Sequence, residues 1–134
     1  MLKVSSKTFL ALVGEAINAI PTLYQKHLQN VAFIIEDNPS QEQRQRLRLN
    51  DGSLLFGLYE GVPLTERGGR TKLLPDKITI FKKPLERVSQ SLPDLRDQIA
   101  HTVWHEVAHY YGLGHKRIYE LEQKASENLQ KHGR

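Results

Sequence analysis

The sequence of 134 residues contains no cysteine, and only one methionine and one tryptophan. Without cysteine the chain has no disulfide, no thiolate nucleophile and no thiolate ligand for a metal ion. It also lacks the run of about 18 apolar residues that a membrane-spanning helix requires. Glu15 and Asn18 interrupt the apolar N-terminal stretch, and no small-residue cleavage site follows, so we expect no signal peptide. These absences predict a cytoplasmic protein without a membrane partner.

Size and charge are those of an ordinary folded domain. Hydrophobic residues make up 39% of the chain and charged residues 25%, both close to the averages of globular proteins. The length suits one hydrophobic core, so we expect a single domain over residues 1–134. The formal net charge is +4, which gives only weak support to a nucleic-acid partner.

Hydrophobic spacing predicts helices near both ends of the chain. The predicted helices cover residues 9–20, residues 21–28, a segment from Ser91 to Tyr110 or Tyr111, and residues 116–131. Ser5 or Ser6 can cap the first helix, and Pro21 ends it and opens the second. Ser91 followed by Asp94 resembles a capping box, with Asp in place of the usual Glu.

Apolar runs between these helices predict strands. Residues 31–35 form a β-branched run that indicates a buried strand, and residues 54–62 indicate a short strand or an ordered loop. Residues 77–82 alternate, and Lys82 and Lys83 at the end of this segment are typical of an edge strand. Residues 38–53 are polar and are expected to form a mobile loop. Its alternating Arg44, Arg46 and Arg48 favour a solvated charge run over a phosphate site.

Four of the six histidines lie within positions 101–115. His105 and His109 are one helical turn apart, so both imidazoles project from one face and suit a single zinc ion. Glu106 lies about 100° around the helix from His105. It can reach a metal-bound water from there without binding the metal. His101 continues the stripe, and we expect it to support a ligand or lie at the surface.

Gly112 and His115 complete the pattern. A glycine at the end of the helix can adopt the left-handed conformation and turn the chain back. The turn would bring His115 to the same ion, whereas a continued helix would place it roughly 9 Å beyond His109. The sequence therefore predicts one Zn²⁺ ion bound by His105, His109 and His115, with one open position for a water. Glu106 is the predicted catalytic base, and the glutamate between the histidines favours zinc over iron.

The pattern H-E-x-x-H-x-x-G-x-x-H over residues 105–115 resembles the signature of zincin metallopeptidases. Together with the predicted helix that ends at Ile20 and Pro21 and with residues 31–37, 55–63 and 74–81, it makes the chain similar to the minimal zincin-like metallopeptidase family. This resemblance implies an α+β domain, with a small mixed β-sheet packed against an N-terminal helix and a metal-binding active-site helix. It also implies a zinc peptidase acting on a peptide or protein. Family members often have Asp in place of His115, which leaves Glu120 as an alternative third ligand.

Other interpretations stay open at this stage. The histidine spacing also resembles zinc-dependent endoribonucleases of ribosomal RNA maturation, although that family has glycine where this chain has Glu106. A non-catalytic protein that binds a metal or a partner is the third alternative. The strand at residues 77–82 is a candidate for pairing with an extended substrate. Candidates for a second oxyanion donor are Tyr59, Tyr110, Tyr111 and Tyr119. The sequence does not indicate an oligomeric state.

Overall fold

The computed structural model describes residues 2–50, 52–61, 76–113 and 120, and combines helices with a small sheet. The helices are α1 (Ser6–Asn18), α2 (Thr22–Gln25), α3 (Gln41–Arg46), α4 (Lys82–Val88) and α5 (Leu92–Tyr110), with a 3₁₀ turn at Leu28–Asn30. The strands are β1 (Val31–Glu36), β2 (Gly57–Glu60) and β3 (Asp76–Phe81). This is the predicted α+β architecture. The helix predicted over residues 116–131 lies outside the described residues, except for Glu120.

The sheet is mixed and has the strand order β1-β3-β2. Strands β1 and β3 are parallel, and β2 and β3 are antiparallel. The register places Val31 opposite Asp76, Glu36 opposite Phe81, and Gly57 opposite Ile80. Within the described part of the chain, β2 therefore lies at one edge of the sheet.

The prediction that residues 77–82 form an edge strand is wrong. Strand β3 has a neighbour on each side, and both of its faces are buried, since Ile78, Thr79 and Ile80 are at most 1% exposed. The lysines that suggested an edge lie beyond the strand and begin α4, which the sequence analysis does not predict. Pro84 is the third residue of that helix, where its missing N–H has no intrahelical bond to lose.

The polar segment over residues 38–53 contains a helix where a loop was predicted. Ser40 caps α3, because its hydroxyl accepts the N–H of Gln43 at 3.1 Å and its own N–H donates to the Gln43 side chain at 2.9 Å. Arg44 donates to the carbonyl of Asn50 at 2.6 Å, and Arg46 pairs with Glu60 at the end of β2. Two of the three arginines in this segment are thus bound to oxygen atoms of the chain itself.

Helix α5 is the centre of the hydrophobic core. It packs against α1 and against strands β2 and β3. Most of its buried apolar residues recur at spacings of three and four, as do Leu95, Ile99, Val103, Val107 and Tyr110. Other elements contribute to the same core, among them α1 with Phe9, Leu12 and Val13 and β3 with Ile78 and Ile80. No helix among the described residues is both long and apolar enough to cross a membrane.

A buried carboxylate ties the N-terminal segment to α4. Glu86 is 4% exposed; its Oε2 accepts the N–H of Val4 at 2.8 Å and lies 3.2 Å from Nζ of Lys82. We expect Glu86→Ala to lower the free energy of unfolding by about 3 kcal/mol, because the amide and the ammonium both lose their acceptor. Urea denaturation measures this loss. The control Glu15→Ala removes an exposed pair with Arg96 and should cost less than about 1 kcal/mol. Equal losses in both variants would contradict this role of Glu86.

Candidate metal centre

Local signals at both ends fix α5 in place. At its start, the hydroxyl of Ser91 accepts the N–H of Asp94 at 3.2 Å. The carboxylate of Asp94 accepts the N–H of Gln90 at 3.0 Å. The predicted cap at Ser91 is therefore confirmed. The second bond of the capping box differs from the usual pattern, because Asp94 accepts the N–H of Gln90 and not that of Ser91.

The helix ends in the turn that the glycine predicts. Gly112 has a φ of 72°, which is the left-handed region that favours glycine. Its N–H donates to the carbonyl of His109 at 2.9 Å, and the N–H of Leu113 donates to that of Ala108 at 3.1 Å. This pair of bonds is a Schellman motif. His115, the predicted third ligand, and Gly114 lie outside the described residues.

The catalytic and metal-binding candidates lie on two different sides of α5. Glu106 is 7% exposed and belongs to the buried side of the helix, together with Val103 and Val107. His105 and His109 are only partly buried. The helix thus holds the carboxylate in its packed interface and the two imidazoles at the border with solvent.

The three side chains nevertheless converge. His105, Glu106 and His109 each offer a ligand atom, and these atoms all lie within 4.8 Å of one another. The rings of His105 and His109 have centroids 4.6 Å apart and are inclined by 73°. Oε1 of Glu106 is 3.4 Å from Nδ1 of His109. The hydrogen bond that the His109 ring donates to the Glu106 carboxylate raises the pKa of His109. Burial of the ring opposes this shift, and the negative charge of the carboxylate adds to it.

The chemistry of this donor set fits a zinc ion. Zinc prefers imidazole nitrogen and carboxylate oxygen at about 2.0–2.2 Å, whereas magnesium and calcium prefer sites made of oxygen atoms. Two imidazoles one helical turn apart offer nitrogens close enough to share such an ion. The described residues therefore offer two imidazole nitrogens, of His105 and His109, that could hold a metal ion, and a carboxylate beside them.

The other predicted residues that the structure describes contact neighbouring side chains or backbone carbonyls. The exposed ring of His101 stacks on that of His105 at 6.2 Å. The hydroxyl of Tyr110 donates to the carbonyl of His27 at 2.9 Å, and that of Tyr111 donates to Tyr24. Burial, with a smaller contribution from Tyr110, raises the pKa of Tyr111.

These two hydroxyl protons are therefore held by backbone carbonyls, which argues against Tyr110 and Tyr111 as oxyanion donors. Tyr59 packs edge-on against Tyr110, with ring centroids 5.9 Å apart. Tyr119, the last of the four candidates, lies outside the described residues.

Sequence reasoning did not single out Gly57, which contacts the site from β2. A Cβ at this position would lie 3.1 Å from Cγ of Glu106. The sequence did contain a signal for this contact, namely a glycine inside the apolar run 54–62. A glycine within a strand often marks a position where another part of the chain approaches the backbone closely.

Comparison with known proteins agrees with this geometry. The sequence model of a family described as zincin-like metallopeptidase matches residues 28–125. The matched range is most of the chain and contains the three strands, α5 and the residues His105, Glu106 and His109. A comparison with curated proteins gives no match. The chain belongs to the zincin-like metallopeptidase family.

Proposed function

We propose that this protein is a zinc peptidase that hydrolyses peptide bonds in a peptide or protein substrate, with Glu106 as the general base. The observation that carries the proposal is the convergence of His105, Glu106 and His109 within 4.8 Å in a chain of the zincin-like family. A buried carboxylate beside two partly exposed imidazoles is an arrangement that suits metal-assisted peptide hydrolysis and that core packing alone does not explain.

The zinc ion would be held by His105 and His109. The proposed third ligand is His115, with Glu120 as the alternative. When bound there, zinc would supply a Lewis acid that polarises the substrate carbonyl and makes a water molecule more acidic. Because the two imidazoles are partly exposed, the open coordination position of the ion would be accessible to solvent and substrate.

Glu106 would move the proton. Its carboxylate would accept a proton from the water whose oxygen attacks the carbonyl carbon. The same carboxyl would then donate this proton to the amide nitrogen as the C–N bond breaks. Burial of Glu106 at 7% exposure restricts its side chain, so the acceptor oxygen would stay directed toward the imidazoles.

Strand β2 is the proposed place for the substrate backbone. Among the described residues it pairs only with β3, and it lies against α5. An extended peptide could add to this edge by main-chain hydrogen bonds. Both sides of β3 are occupied, so residues 77–82 are no longer a candidate for this role.

A peptide-library digestion tests the proposed function. The zinc-supplemented protein is incubated with peptides from a proteome digest, and new termini are identified by mass spectrometry. We expect cleavage that EDTA removes and added zinc restores. A preparation of His105→Ala made in parallel controls for contaminating peptidases. If no cleavage depends on zinc while EDTA still lowers the melting temperature, the peptidase proposal is wrong and the metal has a structural role.

A further inference from the structure

We propose that Gly57 is a positioning residue for Glu106. Because Gly57 has no side chain, the backbone of β2 can pack directly against α5. It then contacts the methylene groups of Glu106 and restricts their movement. The inference rests on the proposed function in one respect, namely that Glu106 is the general base.

The space around Gly57 is too small for a methyl group. A Cβ there would lie 2.7 Å from Cγ2 of Thr102, 3.1 Å from Cγ of Glu106 and 3.3 Å from the backbone oxygen of Thr79. Carbon atoms are in favourable contact at about 3.5–4.0 Å. An alanine at position 57 would therefore displace at least one of these neighbours.

Space, and not backbone conformation, is the reason for glycine here. Gly61 and Gly112 have positive φ values of 154° and 72°, whereas Gly57 has none. It lies in a regular antiparallel pair opposite Ile80, a conformation that any residue can adopt. Gly57 also lies in the buried part of β2.

The neighbours of Gly57 differ in how easily they can move. Thr79 belongs to the central strand and is 1% exposed. Thr102 is held because its hydroxyl donates to the carbonyl of Gln98 at 2.8 Å. Helix α5 cannot move away as a whole without opening the core around Val103, which is fully buried. Glu106 is also buried, but its longer side chain has more rotatable bonds than that of Thr102, so we expect a methyl group at position 57 to shift its carboxylate relative to His109.

Four variants test this role. The first three are Gly57→Ala, Thr102→Ser and the combination of both, and the control is Gly14→Ala, since a Cβ at Gly14 meets nothing within 4 Å. Thr102→Ser removes the methyl group that is nearest to position 57 but keeps the hydroxyl. The double variant therefore gives the new methyl group room on the side away from Glu106.

We expect Gly57→Ala to bind as much zinc as the wild-type protein. On the best peptide from the library digestion, its kcat should fall by about tenfold to a hundredfold, with KM nearly unchanged. The double variant should recover part of this loss relative to Thr102→Ser alone, and Gly14→Ala should behave as the wild type. An unchanged kcat for Gly57→Ala would overturn the proposal. A loss that Thr102→Ser does not relieve would also contradict it.

Crystal structures of the wild type and of Gly57→Ala separate this inference from the proposed function. We expect the contact between Glu106 Oε1 and His109 Nδ1, 3.4 Å in the wild type, to be lost in the variant. If the wild type cleaves no peptide, the proposed function fails, but this displacement is still measurable. Glu106 unmoved beside an alanine at position 57 would overturn the inference by itself. Should Gly57→Ala not fold, the double variant is compared with Thr102→Ser in both measurements. We expect a part of the loss in kcat and a part of the displacement of Glu106 to remain, and values equal to those of Thr102→Ser would overturn the inference.

Discussion

Glu106→Gln is expected to abolish peptide hydrolysis while the protein keeps its fold and its zinc. Glutamine has nearly the same shape as glutamate, so it can occupy the same buried place on α5. Its amide cannot accept a proton from the attacking water. Because general-base catalysis contributes at least about a hundredfold in rate, we expect kcat to fall by that factor or more.

The measurement pairs peptide kinetics with zinc content by elemental mass spectrometry. Glu15→Gln is a suitable control, because it makes the same chemical change at an exposed glutamate of α1. Undiminished hydrolysis by Glu106→Gln would rule out Glu106 as the base. Loss of zinc from this variant would instead identify Glu106 as a ligand of the ion.

The second large effect concerns the metal itself. His109→Ala is expected to reduce the zinc content from about one ion per chain to nearly none, because it removes one of three predicted imidazole ligands. A ligand that binds only the folded state raises its stability. Added zinc should therefore raise the melting temperature of the wild type and leave that of His109→Ala unchanged.

His101→Ala is the control for this measurement. Its ring stacks on His105 but lies two turns from His109, too far to share one ion. We expect this variant to keep its zinc. Equal zinc in His109→Ala and the wild type would show that the ion binds elsewhere. A wild type that takes up no zinc, even when zinc is supplied, would contradict the proposed enzyme.

The features that the sequence predicts well are those set by neighbours along the chain. Ser91, Asp94 and Gly112 define the ends of α5 through caps only a few residues long. The same local rule would have found α3, because Ser40 and Gln43 form a capping box in a segment without hydrophobic periodicity.

Strand order could not be predicted in this way. The central place of β3 results from pairing with β1 and β2, which are distant in sequence. The lysines at positions 82 and 83 carried a signal for an exposed edge, but they belong to the following helix. Their charge therefore says nothing about which edges of β3 are covered.

In the candidate site, too, the features set by local sequence could be predicted and those set by tertiary packing could not. The spacing of His105 and His109 predicts two imidazoles on one face of a helix, and the rings are indeed neighbours. The burial of Glu106 and its contact with Gly57 depend on how β2 crosses α5. No pattern within the motif contains that information.

Helix α5 carries both core residues and the residues of the candidate site, which couples the stability of the fold to the integrity of the site. Ile99, Val103 and Val107 hold the core together from the same helix that carries His105, Glu106 and His109. Heat or a mutation that loosens this core is therefore expected to disturb the arrangement of His105, Glu106 and His109 as well. A substitution at a buried position of α5 is therefore expected to affect the stability of the fold and the geometry of the candidate site together.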